Sequence, residues 1–248
     1  MESFMVGYDD PRLPFYATPA GDPAFLGQYK GIRNGIDISS ASYAGNYGNF
    51  SQITSFPNAI VLMTTAEAYF LKAEAAIRNW AGAGDAKTNY EAGIQASFDM
   101  CDKYYGSTIS AQATNYIADG ASTPIPYVDP KNSDNDVNAA DPHLSTITIK
   151  WDDSADFNTK LERIITQKWL ALYPEGQEAW SEFRRTTYPK LFPVVINNSQ
   201  GTIATEKFIR RLVYPSSEYS NNPQGVAKAV TLLGGTDSGG TPLWWDKN

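Results

Sequence analysis

"AEAYFLKAEAAIRNWAGAGDAKTNYEAGIQASFDMCDKYY", residues 66–105, decides the fold. Ala66, Phe70, Ala73 and Ile77 recur at steps of four, three and four, which puts them on one face of a helix starting near Thr64. Gly82 and Gly84 interrupt that period, and Asp85 supplies a side-chain acceptor for the unpaired N–H groups of a second helix. Within that helix Ala86, Tyr90 and Gly93 form another stripe, and the small residues Ala73 and Gly93 let the two helices approach closely. The stretch is written as one unit of a helical repeat. Such a unit cannot bury its apolar face alone, and no second copy stands out in the 248 residues.

Outward from this pair the chain stays helical but acquires long loops. Residues 1–60 contain "YATPAGDPAFLGQYKGIRNG" and "SYAGNYGNFSQ". Their Gly, Pro, Tyr and Asn carry no 3.6 period and predict irregular chain with room for one small hairpin. A weaker helix is expected over Ile109–Ile117, followed by the polar, proline-bounded segment 124–143. Helical spacing returns at Leu161, Ile164, Ile165, Trp169 and Leu172 and breaks at Pro174; Trp180 and Phe183 mark a short helix that stops before Pro189. Asn222 as N-cap and Pro223 at the first position open a last helix, closed by Gly234 and Gly235. The expectation is a mostly α-helical single domain over 1–248: a loop-rich segment 1–60, the helix pair 64–105, and helices with long loops over 106–248.

Composition narrows the function. The net charge of −7 disfavours a nucleic-acid partner, which needs clustered Lys and Arg to displace counterions from phosphates. The basic doublets are Arg184-Arg185 and Arg210-Arg211. A single cysteine, Cys101, excludes an internal disulfide and a multi-cysteine zinc site, and its place in a predicted helix makes it a buried thiol. No apolar run is long enough to cross a bilayer, and the first ten residues lack a secretion signal, which a longer precursor could carry. Aromatic residues make up 13%, enough both to fill a core and to offer flat faces to a ligand.

Candidate chemistry fails residue by residue. "TDSGG" at 236–240 resembles the surroundings of a serine-protease nucleophile, with Ser238 in that place. A triad needs a His base and an Asp orienter on a suitable frame; the chain has one histidine, His143, in a helical context. Asp134, Asp136 and Asn138 alternate as in a calcium loop, but Ala139 stands where the turn glycine belongs and Ser145 where the bidentate acid belongs. An EF-hand is excluded, while an irregular oxygen-rich calcium site near Asp134 and Asp136 stays open; otherwise no cofactor is expected. Glu67/Glu74 and Asp152/Asp153 are the carboxylate pairs a glycosidase reading would use. Glu74 sits beside Lys72 and Arg78, so a solvated, ion-paired helix face accounts for it more simply. The chain reads as a non-enzyme.

The succession "LMTTAEAYFLKAEAAIRNW", "YEAGIQASF", "ITQKWLALYPEGQEAWSEFRRTTYPKL", "RRLVYPSSEYSNNPQGVAKAV" and "LWWDKN", with "DPRL" at 10–13, resembles the C-terminal part of SusD/RagB-like proteins, outer-membrane nutrient-binding lipoproteins of Bacteroidota. The resemblance covers nearly the whole chain in order. It implies tetratricopeptide-like helix pairs, here an incomplete α/α array, although Phe98 replaces the closing proline of such a repeat. Family members are about twice as long and carry a lipidated N-terminal cysteine. The chain is thus expected to be a fragment or truncated form lacking signal and anchor, and the neighbours of the helix pair are expected in absent N-terminal helices.

The resemblance further implies a cell-surface role at the outer membrane. Such proteins capture an oligosaccharide, or in some members a peptide, and deliver it to a SusC-like TonB-dependent transporter. Rings that stack on sugars are sought among loop aromatics: Tyr43, Tyr47, Phe50, Tyr127 and Trp151, with Asn46 and Asn49 as hydrogen-bonding neighbours. Trp169, Trp180, Trp244 and Trp245 are assigned to the core. A helical scaffold for protein segments and, least favoured, a glycoside hydrolase are the rivals.

Overall fold

The computed structural model describes residues 1–54 and 61–246; residues 55–60 of the loop-rich segment and the last two of the closing motif lie outside them. Three short helices fall in the segment expected to be irregular: α1 (Glu2–Gly7), α2 (Leu13–Tyr16) and α3 (Ala41–Gly45). Then come α4 (Thr65–Ile77), α5 (Ala86–Tyr105), α6 (Ala113–Ile117), α7 (Phe157–Ala171), α8 (Gly176–Thr186), α9 (Ser216–Asn221) and α10 (Pro223–Leu233). In place of the hairpin, the described residues of 1–60 hold an isolated antiparallel bridge between Ala17 and Ile53.

The helix pair forms as its sequence dictates. Thr64 caps α4 by accepting from the Glu67 N–H at 3.0 Å, and Asp85 caps α5 by accepting from the Thr88 N–H at 2.7 Å. Gly82 and Gly84 between them take φ of +79° and +81°, a conformation in which a side chain would be strained. Gly93 faces Phe70, and a Cβ there would stand 2.8 Å from the ring, so only glycine allows this separation of α4 and α5. The pair's neighbour is in the same chain. Apolar faces of α4 and α5 close on α7, where Ile164, Ile165 and Leu170 are buried with Phe70, Tyr90, Ile94 and Phe98.

An extended ribbon crosses this core. In Thr146–Trp151 the residues Ile147, Ile149 and Trp151 point inward, a period of two. Tyr8 Oη donates to Ile147 O at 2.9 Å and Tyr90 Oη to Ile149 O at 2.6 Å, so core phenols satisfy backbone acceptors that have no strand partner. The "DPRL" stretch locks the N-terminal segment to the helices. Arg12 is fully buried, pairs with Asp10 at 2.6 Å, and donates to Ser97, Tyr116 and Gln167 from three different elements.

A second charge cluster, which holds Glu67 and Glu74, joins α4, α7 and α8; it keeps the expected ion pairing of Glu74 with Arg78 but corrects its solvated placement. Both carboxylates are buried. Lys168 Nζ lies 3.8, 3.1 and 3.3 Å from Glu67, Glu178 and Glu182, while Arg185 holds Glu74 through two bonds at 2.6 and 2.5 Å and Arg78 adds a third at 2.8 Å. Burial alone would raise the Glu74 pKa; the bonds from Arg185 and Arg78 outweigh it and hold the carboxyl below its ordinary 4.5. A depressed carboxyl stabilises the fold above its unfolded pKa, and that contribution is lost as pH falls through the folded value. The gap in melting temperature between the parent and Glu74→Gln is therefore expected to be full at pH 7 and to close progressively below pH 4.5. A gap that stays constant from pH 7 to 3 would contradict this.

Candidate functional site

The candidate loop aromatics are scattered by the fold. Tyr47 and Phe50 join Ala20 and Phe25 in a minor core of their own, each no more than 6% exposed. Trp151 packs 5.3 Å from the Tyr90 ring in the main core, its Nε1 donating to Asp153 at 2.8 Å. Tyr127 is 4% exposed. The expectation that these rings stand free for stacking is corrected: loops this long build their own apolar interiors, and aromatics are what fills them. Tyr43 stays half-buried, and Asn46 and Asn49 are exposed beside it.

These three sit on a platform braced by hydrogen bonds. Asn132 Nδ2 donates to Tyr43 Oη at 3.3 Å, the Tyr43 and Tyr47 hydroxyls lie 3.3 Å apart, and Tyr47 Oη donates to Asp129 at 2.9 Å. Burial, reinforced by bonds to Tyr43 and Asp129, keeps the Tyr47 phenol protonated far above its ordinary range. Asn135 Nδ2 also donates to Asp129, at 2.7 Å, and Asp136 accepts from the Asp129 N–H at 2.7 Å. Among the described residues no group of three or more His, Cys, Asp or Glu is arranged to hold a metal.

Ser238 and His143 are tied into loops. Ser238 Oγ donates to Thr202 O at 3.0 Å and accepts from the Gly240 N–H. The His143 ring bridges Asp141 at 3.0 Å and Glu206 at 2.8 Å. Cys101 is fully buried, which pushes its thiol up to about 11. Of the tryptophans assigned to the core, Trp169 packs 5.7 Å from Phe4, but Trp244 is 83% exposed, since the chain turns at Leu243–Asp246 to bury Asp246 against Arg210 instead.

A groove of about 1110 Å³ lies between α1, the segment 29–34 and the loops of 190–209. Its walls are aromatic and aliphatic, with Phe4, Trp180, Phe183, Phe192 and Phe208 among them. Its polar lining includes the neutral side chains of Asn34, Gln52, Asn198 and Thr205 and the charged ones of Glu2, Lys30, Arg33 and Lys190. The wall at 29–34 is pinned by Tyr127, whose hydroxyl donates to Gly31 O and accepts from the Arg33 N–H, each at 3.2 Å. Arg33 in turn donates to Asn135 O at 2.9 Å and to Pro193 O at 3.0 Å, tying the two walls together. Tyr127 is the one sequence-predicted candidate on the groove. The others were missed because the lining comes from segments over a hundred residues apart, which no local pattern joins.

The chain is a mostly helical scaffold with a tetratricopeptide-like pair and an open, aromatic-lined groove, and no helix among its described residues is long and apolar enough to cross a membrane. The family model for SusD-like proteins, described as Susd and RagB outer membrane lipoprotein, matches residues 1–246, and the chain belongs to this family. It is 47% identical to a chitin-binding SusD homologue from Flavobacterium johnsoniae, with a TM-score of 0.88, covering 100% of this chain and 48% of that one. A SusD-like protein from Bacteroides thetaiotaomicron is 40% identical with a TM-score of 0.85, over 99% of this chain and 49% of its own. A SusD homologue from Bacteroides uniformis is 38% identical with a TM-score of 0.87, over 99% and 48%. The chain thus spans about half the length of these solved relatives. No similar protein was found among those with curated descriptions.

Proposed function

We propose that the protein captures an oligosaccharide at the outer surface of the outer membrane and passes it, unaltered, to a SusC-like TonB-dependent transporter. The observation that carries this reading is the 47% identity, across the whole chain, to a homologue that binds chitin. The groove supports it: sugar rings present C–H faces to aromatic walls and hydroxyls to amides and hydroxyls of the lining, and both are in place. Tyr43, Asn46 and Asn49 supply a peripheral contact on the neighbouring platform, which is joined to the groove wall where the Ser51 N–H donates to Lys30 O and the Lys30 N–H to the Ser51 hydroxyl.

Binding without chemistry is favoured by how four of the buried acids are used. The buried carboxylates Glu67, Glu74 and Glu182 are held by Lys168 and Arg185, and Asp10 by Arg12, so each serves as a structural counter-ion. A glycan array probed with the protein tests the reading, followed by mass spectrometry of each bound oligosaccharide after prolonged incubation. Retention of at least one glycan at full length is expected. An array with no glycan bound, or shortened products, would overturn it.

A further inference from the structure

We propose that Phe208 is a sugar-contacting residue of the groove, held ready by backbone strain; this rests on the glycan-capture reading and assigns its contact. Phe208 has φ +55° and ψ −177°, a region that essentially only glycine enters without strain. Strain of this kind persists only where the surroundings over-determine it, and here they do. Trp180 Nε1 donates to Ile209 O at 3.1 Å, Arg184 Nη1 to Arg210 O at 3.0 Å, and the Arg210 N–H to Gly239 O at 2.7 Å, while Asp246 clamps the Arg210 guanidinium. The two residues after Phe208 are thereby fixed from α8 and from the C-terminal loop.

Core packing does not account for the strained residue. Among the described residues the Phe208 ring makes one aromatic contact, an edge-on approach to Phe183 at 4.9 Å, and it is only partly buried. It borders two cavities: the large groove and a chamber of about 220 Å³ whose lining includes Thr187, Lys190, Glu206 and Arg210. The wall common to both is Phe183, Lys190, Leu191 and Phe208. Thr187, a β-branched residue on the chamber side, also stands at positive φ, +63°. Phe208 and Thr187, the left-handed C-cap of α8, therefore border one small chamber off an aromatic groove. A ring set at that junction can lie against a sugar in the groove while a pendant polar group of the same sugar enters the chamber.

The test uses the full chain and hexamers of β-1,4-linked N-acetylglucosamine, glucose, xylose and mannose, titrated calorimetrically. Phe208→Leu keeps apolar bulk without the ring face, Phe208→Tyr keeps the ring, and Phe208→Gly releases the strain. Against a hexamer that the parent binds, the Leu and Gly variants are expected to weaken affinity about twofold to twelvefold, the range an aromatic contact commands. The Tyr variant should bind like the parent, and the melting temperature of the Gly variant should not fall. Parental affinity in folded Leu and Gly variants would overturn the inference and leave glycan capture standing. Loss of the folded circular dichroism spectrum in all three would assign the ring to packing and also overturn it. A parent that binds none of the four would overturn the inference, with glycan capture still decided by the array.

Discussion

Replacing Arg12 by alanine is expected to abolish cooperative folding or to lower stability by about 3–5 kcal/mol, the loss typical of breaking a buried ion pair from one side. The guanidinium is fully buried and makes side-chain bonds to Asp10, Ser97, Tyr116 and Gln167, with the Phe98 and Tyr116 rings 5.0 and 5.4 Å from its centre. Its removal leaves the Asp10 carboxylate in an apolar interior with the Tyr116 hydroxyl, at 3.0 Å, as its side-chain donor. Domains of this size are stable by only about 5–15 kcal/mol, so one such loss consumes much of the total. Arg12→Lys should rescue little, because an ammonium cannot reproduce the planar fork that reaches four partners. Urea unfolding of parent and variants measures this. An Arg12→Ala protein with the parental midpoint would show that the "DPRL" stretch is not the lock described.

Gly93→Trp is expected to be the second large effect. The Cβ alone would meet three atoms of the Phe70 ring at 2.8–3.0 Å, before any indole is added. Phe70 is fully buried and packs 6.1 Å from Tyr90, so it has no free space into which to swing. Overpacking by a few methylenes costs about 1–3 kcal/mol, and an indole exceeds that range by its volume. The variant should fail to fold or melt far below the parent, with Gly93→Ala between the two. A parental thermal melt for Gly93→Trp would mean that α4 and α5 do not pair face to face as described.

The parts of the fold legible in sequence were those written in local periodicity and caps. Ala66, Phe70, Ala73, Tyr90 and Gly93 name the contact between α4 and α5, and Asp85, Asn222 and Gly234 mark helix ends that the structure reproduces. The ribbon Thr146–Trp151 carried a readable alternation, yet it lies beside a polar loop and forms no strand, so the period of two pointed to no recognisable partner. Helix α1 is only six residues long, too short to show a period at all, and tertiary burial of Phe4 and Met5 holds it.

The site was less legible for a different reason. Residue type does not report exposure: Tyr47 and Trp151 look like ligand platforms on loops and are instead the packing of a fold whose loops enclose their own interiors. Trp244 looked like core and is on the surface. The groove brings residues 1–4, 29–34 and 190–209 together through bonds such as Arg33 to Pro193, and a relation across about 160 positions leaves no trace in local pattern. Phe208 carried no signal either, since nothing in "TEKFIRR" discloses a positive φ.

Calorimetric titration of the protein with the glycan retained most strongly on the array, with the ligand recovered and weighed afterwards, tests glycan capture most directly. The account predicts saturable binding at one site per chain, an affinity reduced in the Phe208→Leu protein, and an oligosaccharide recovered at its starting mass. No heat of binding at saturating ligand, or recovery of shortened sugars, would contradict it.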